Sequence, residues 1–192
     1  MKTPSNMTTE FATVDALLKL ECATRTVDAY CLTWIKFERQ IRRLLVRTLR
    51  QASVFDDPAN GGEQDVVAAL SGHKDLSFDK VFRAIEKLAG FSVWDWIGGE
   101  RRKQDNRLRD IQWDRNRIFH GKQTGKSKDS KSLLSDIEFI RDICERIADG
   151  ARKDIGYDGF ERNAWRPIRN DALKKSVDAF VGKDWKAKIA RF

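Results

Sequence analysis

Apolar residues recur at spacings of three and four along almost the whole chain, and strand-like alternation is rare, so the pattern predicts an all-α protein. The clearest segment runs from about Val27 to Gln51, where Trp34, Phe37, Ile41, Leu44, Leu45 and Thr48 fall on one stripe. A second stripe at the same spacing holds Lys36, Arg39, Arg43, Arg47 and Arg50. One face of this helix can therefore enter a core while the other presents a row of cations, as a solvated face or as a surface that tracks phosphates. Residues 1–12, with Pro4, Ser5, Asn6 and several threonines, read as a loose tail. A first helix is expected from Thr13 to about Glu21, or running on into the next segment.

Asp56 to Gly62, with Pro58 and paired glycines, reads as a loop, followed by a short helix from about Gln64 to Leu70 and a turn at Ser71-Gly72-His73. Ser77 has the character of an N-cap, with Asp79 in the first turn where the helix dipole favours an anion. Phe78, Val81, Phe82, Ile85, Leu88 and Ala89 then form an apolar face, and Gly90 is the stop. Phe91 to Ile97 is an aromatic connection expected to pack under the core. From Glu100 the chain is helical again, through Leu108 and Ile111 to Phe119, with Gly121 ending the helix. Gly121 to Ser132 is polar and lysine-rich, a loop expected to be mobile. Ser135 with Glu138 spells a capping box, or the helix starts a turn earlier at Ser132. Its buried face is Ile137, Ile140, Cys144, Ile147 and Ala148, and its end is expected near Gly150 or somewhat beyond. The remainder, from 160 to 192, contains Trp165, Pro167 and Trp185 and is expected as a helical extension packed on the same domain. Leu173, Val177, Phe180 and Val181 face inward there.

A chain of 192 residues suffices for one domain with a hydrophobic core and is short for two. An apolar fraction of 41% with 34% charged residues is the composition of a folded, soluble chain rather than a disordered one. No apolar run approaches a bilayer span and the N-terminus lacks a signal pattern, so a cytoplasmic protein without a membrane partner is expected. Cys22, Cys31 and Cys144 are odd in number and far apart, which suggests neither a disulfide framework nor a zinc site; they read as core cysteines. The net charge of +8 favours a polyanionic partner.

The residues that change the picture lie at the end of the helix that reaches Phe119. Its apolar stripe runs Leu108, Ile111, position 115, Ile118 and Phe119, and position 115 is an arginine. A guanidinium on an apolar stripe is costly to bury unless paired or facing an anion. Asn116 and His120 are one turn apart and share a face. Arg115, offset from His120 by about 140°, can still reach the helix end with its long side chain. Together the three supply a titrating group, a fixed cation and an orienting amide. Those parts suit RNA strand cleavage: an imidazole moves protons near neutral pH, and a guanidinium neutralises charge building on phosphorus. The 2′-hydroxyl is an internal nucleophile, so neither a metal nor another cofactor is needed. The leaving oxygen also needs a proton, which favours a second copy of the motif.

Arg115-Asn116-x-x-x-His120 resembles the R-[N/D/H]-x-x-x-H signature of the HEPN superfamily, found in toxins, abortive-infection proteins and RNA-targeting CRISPR effectors. The resemblance covers about residues 13–155 and implies an up-and-down bundle of four to five main helices, here over 13–159, with one helix after the motif. It implies a metal-independent endoribonuclease acting on single-stranded or looped RNA such as tRNA or mRNA, with a composite site across a homodimer. Arg115 and His120 would be catalytic and Asn116 would position them. Lys36, Arg39, Arg43, Arg47, Arg117, Lys122 and Lys126 are the candidate RNA contacts. A toxin or antiviral role implies an antitoxin or another regulatory partner. The 160–192 extension has no counterpart in the family.

Two other signals carry less. Gly121-Lys-Gln-Thr-Gly-Lys-Ser127 looks like a phosphate-binding loop, but only three residues separate its glycines where four are required, and it follows a helix rather than a strand. His73 beside Lys74 reads as a solvated loop histidine. The competing function is a non-catalytic basic helical module that binds RNA or a protein. A DNA-reading regulator would need a recognition helix, and the helix from Ser77 to Gly90 is too apolar for that.

Overall fold

A computed structural model of the chain describes residues 6–72, 76–121, 128–161, 170–182 and 184–189. It is an all-α helical bundle, with no strand among the described residues. Its helices are α1 (Asn6–Leu18), α2 (Arg25–Leu49), α3 (Glu63–Ser71), α4 (Phe78–Ala89), α5 (Val93–Ile97), α6 (Arg101–Phe119), α7 (Ser130–Asp154), α8 (Asp171–Val181) and α9 (Trp185–Ile189). None of the described helices is long and apolar enough to cross a membrane. The chain divides into two compact units, residues 1–39 with 97–146, and residues 40–96 with 147–192.

In the first unit α1, the start of α2, α6 and most of α7 bury Phe11, Val14, Tyr30, Trp34, Phe37, Leu108, Ile111, Ile137 and Ile140. Helix α1 begins at Asn6, inside the stretch that its threonines and proline mark as a tail. Burial overrides that weak local preference: Phe11 and Val14 enter the core, and Glu10, also buried, meets Lys36 and Arg39 at 3.4 and 3.0 Å. Arg141 adds a two-pronged pair to Asp15, at 2.7 and 3.0 Å, and lies over the Phe11 ring. Helix α7 starts at Ser130 rather than at Ser132 or Ser135, because the Asp129 carboxylate accepts the Ser132 N–H at 2.8 Å. Of the cysteines Cys144 is buried, Cys31 is half-buried, and Cys22 is exposed in the connection between α1 and α2 rather than in a core.

The second unit holds the rest. The α4 stripe is buried as its periodicity predicts, and Gly90 ends the helix at φ 77°. Leu173, Val177 and Val181 bury one face of α8, capped by the Asn170 side chain, and α8 packs on α4. The expected aromatic connection contains a short helix, α5. Gly150 lies within α7, and a Cβ there would stand 2.2–2.5 Å from atoms of Trp96, whose indole nitrogen donates to Asp154 at 2.6 Å.

An interior helical Gly→Ala change ordinarily stabilises by about 0.5–1 kcal/mol. Gly150→Ala is expected to do the reverse and cost roughly 1–3 kcal/mol through overpacking, read as a lower urea midpoint at unchanged slope.

Candidate functional site

The last turns of α6 carry Arg115, Asn116 and His120. Leu108 and Ile111 bury the inner side of the helix, and Gly121 closes it at φ 64°, a conformation that glycine adopts without steric cost. The His120 N–H donates to Asn116 O at 3.1 Å and the Gly121 N–H to Ile118 O at 3.0 Å. Asn116 and His120 are both exposed.

Arg115 stands at the margin of the core, its side chain 22% exposed. Nη2 donates to Glu38 Oε2 of α2 at 3.1 Å, Nη1 donates to Asn116 Oδ1 at 2.8 Å, and the guanidinium carbon lies 4.8 Å from the centre of the Phe119 ring. Its Nε is buried with no hydrogen-bond partner. The arginine is thereby fixed in place and fixes the Asn116 amide in turn, while the imidazole is left in solvent. Burial pushes the Cys31 thiol up from its ordinary value against the pull of Arg115, so this neighbour of the site is not a ready thiolate. Among the described residues, no group of three or more His, Cys, Asp or Glu side chains is placed to hold a metal ion.

Behind the motif lies an ionic cluster that sequence reasoning missed. Asp114 is more deeply buried than Arg115, at 6% exposure. Lys128 Nζ reaches Asp114 Oδ2 at 2.6 Å and Asp136 Oδ2 at 2.7 Å. Asp136 also accepts from Arg107 at 3.1 and 3.3 Å, and the same guanidinium donates to the Ser135 carbonyl and hydroxyl. The Tyr30 hydroxyl donates to Ile111 O at 2.8 Å. Burial, with Asp114 and Asp136 adding to it, pushes that phenol far above its usual range and keeps it a neutral donor. Burial alone would lower the Lys128 ammonium, but the hydrogen bonds to both carboxylates outweigh it and hold the group above its ordinary value. One signal for Asp114 was available, since it follows Ile111 by three residues along the apolar stripe. Lys128 comes from a loop without periodicity, so no spacing could pair the two.

The row of cations on α2 is not the open surface its spacing suggests. Lys36 is 6% exposed and paired with Glu10 of α1. Arg39 is exposed and shares Glu10. In the second unit Arg43 donates to Gly159 O at 3.4 Å and Arg47 lies over the Tyr157 ring. Arg117, on α6, lies 4.6 Å from the centre of the Trp113 ring. Lys122, Lys126 and His73 lie outside the described residues, as does most of the glycine-lysine loop that holds the two lysines. No protein-family model, curated protein or solved structure matches this chain.

Lys128→Met should destabilise the protein by roughly 1–3 kcal/mol, less than a fully buried pair because Lys128 still meets water. The raised folded-state value also sets a sign. The stabilisation is whole below about pH 10.4, the unfolded lysine value, and is lost as pH rises through the folded one. Denaturation midpoints across alkaline pH should fall more steeply in the wild type than in the variant, which retains the loss that the buried, neutral Tyr30 phenol brings to both proteins.

Proposed function

We propose that the protein is a metal-independent endoribonuclease acting on single-stranded or looped RNA, in the manner of HEPN toxins and defence effectors. The observation that carries the reading is the end of α6, where a fixed guanidinium, an oriented amide and a solvent-exposed imidazole lie within a span of six positions. In the reaction the His120 imidazole takes the proton of a 2′-hydroxyl, and that oxygen attacks the adjacent phosphorus. The 5′-oxygen leaves with a proton from a second imidazole, supplied by another copy of the chain. The products are a 2′,3′-cyclic phosphate and a 5′-hydroxyl. Arg115 offsets the charge that builds on the phosphoryl oxygens, exchanging part of its contact with Glu38 for one with the substrate.

That contact with Glu38 is also what favours a second reading. An arginine already paired with a carboxylate can simply brace α6 against α2, and the chain would then be a basic helical module that binds RNA or a protein without cutting it.

The two readings separate in a cleavage assay with total cellular RNA in EDTA, wild type beside His120→Ala. The nuclease reading expects the variant to lose on the order of 10²–10⁴-fold in rate, and the wild-type product to carry cyclic phosphate ends. RNA binding by both proteins with cutting by neither supports the basic module. Equal cutting by both assigns the chemistry to residues other than His120.

A further inference from the structure

Helix α6 leaves a large aromatic ring in solvent on the same side as Asn116 and His120. Trp113 is 51% exposed, while the helix buries Leu108 and Ile111 elsewhere on its circumference, so the indole contributes little to the core. Trp113 precedes His120 by seven residues, a rotation of about 700° at about 100° each, so the two side chains leave the helix in nearly the same direction. They are separated by about 10.5 Å along the axis. Asn116 lies between them on the exposed side. One turn after Trp113, Arg117 holds its guanidinium 4.6 Å from the ring centre and restrains the indole from that side. One turn before it, Arg109 is exposed and paired with Asp105 at 3.1 Å. Two cations therefore flank the ring along the helix, against the exposed carboxylate of Asp110.

We propose that Trp113, braced by Arg117, is a stacking platform for one nucleobase of single-stranded RNA, within a few nucleotides of the phosphate handled at His120. The identity of the ligand rests on the ribonuclease reading; the platform itself rests on the exposed ring and its flanking cations. An indole face stacks on any base, whereas phosphates need cations close by, and α6 supplies both within two turns. Stacked nucleotides advance about 3.4 Å per step, so the 10.5 Å offset spans about three of them. A duplex keeps its base faces inside its own stack and offers nothing to the indole, so the same residue accounts for selection of unpaired RNA. The periodicity of α6 already accounted for its buried side, and Trp113 is what that pattern left over.

The test is fluorescence anisotropy with a labelled 2′-O-methyl RNA of about ten nucleotides, which cannot be cut by 2′-hydroxyl attack. Wild type, Trp113→Phe and Trp113→Ala are compared, with single abasic sites walked along the oligonucleotide. Trp113→Ala should weaken binding on the order of tenfold, and Trp113→Phe should retain most of the affinity. One abasic position should cost the wild type a similar factor and cost Trp113→Ala nothing further. A blunt duplex of the same sequence should not distinguish the proteins. Equal affinity of wild type and Trp113→Ala overturns the proposal, as does failure of the wild type to bind. So does a change confined to oligomeric state on gel filtration, which would assign the indole to a protein contact. Binding through Trp113 without any RNA cleavage keeps this platform and removes the nuclease. Cleavage by Trp113→Ala at wild-type KM and kcat does the opposite.

Discussion

Two carboxylates inside a helical core repel each other unless a cation stands between them, and here Lys128 takes that place. Its ammonium joins Asp114, near the end of α6, to Asp136, in the second turn of α7. Asp129, the next residue, caps α7 through the Ser132 N–H. The two residues together decide where α7 begins and tie it to the part of α6 that carries Arg115, Asn116 and His120. Arg107 closes the far side of Asp136, and Tyr30 donates to the α6 carbonyl of Ile111. The outward side of α6 is thereby held from behind while remaining open to solvent.

The same arrangement explains why arginines do different work along one helix. Arg107 is drawn inward by Asp136, and Arg115 is half-withdrawn by Glu38. Arg117 rests on an exposed indole. Charge excess alone says nothing about this division, because it is decided by which carboxylate another helix brings within reach. Under the proposed ribonuclease reading, a substrate phosphate would compete with Glu38 for Arg115.

Helices whose stability comes from an apolar stripe were legible in the sequence. The faces of α4 and α8 and the inner stripe of α2 follow from spacing alone, and Gly90 and Gly121 end helices where left-handed backbone is needed. Features that depend on distant partners were not. The early start of α1 follows from Glu10 meeting Lys36 and Arg39, far along the chain, and the burial of Lys36 is the same event seen from α2. A capping box at Ser135 and Glu138 is present as a pattern but is overruled by Asp129. At the candidate site the motif was legible as a motif, and so was the anomaly of a charge on the apolar stripe. Glu38, Asp114, Lys128 and Asp136 were not, since ion pairs between separate segments leave no period.

The proposed ribonuclease reading has RNA handled at the exposed end of α6. The chain has two histidines, so the imidazole proton resonances of His120 and His73 can be followed separately while an uncleavable 2′-O-methyl oligonucleotide is added. If the proposed ribonuclease reading holds, the His120 resonances move or broaden to saturation with the oligonucleotide. A titration that leaves His120 unmoved at saturating RNA would contradict it.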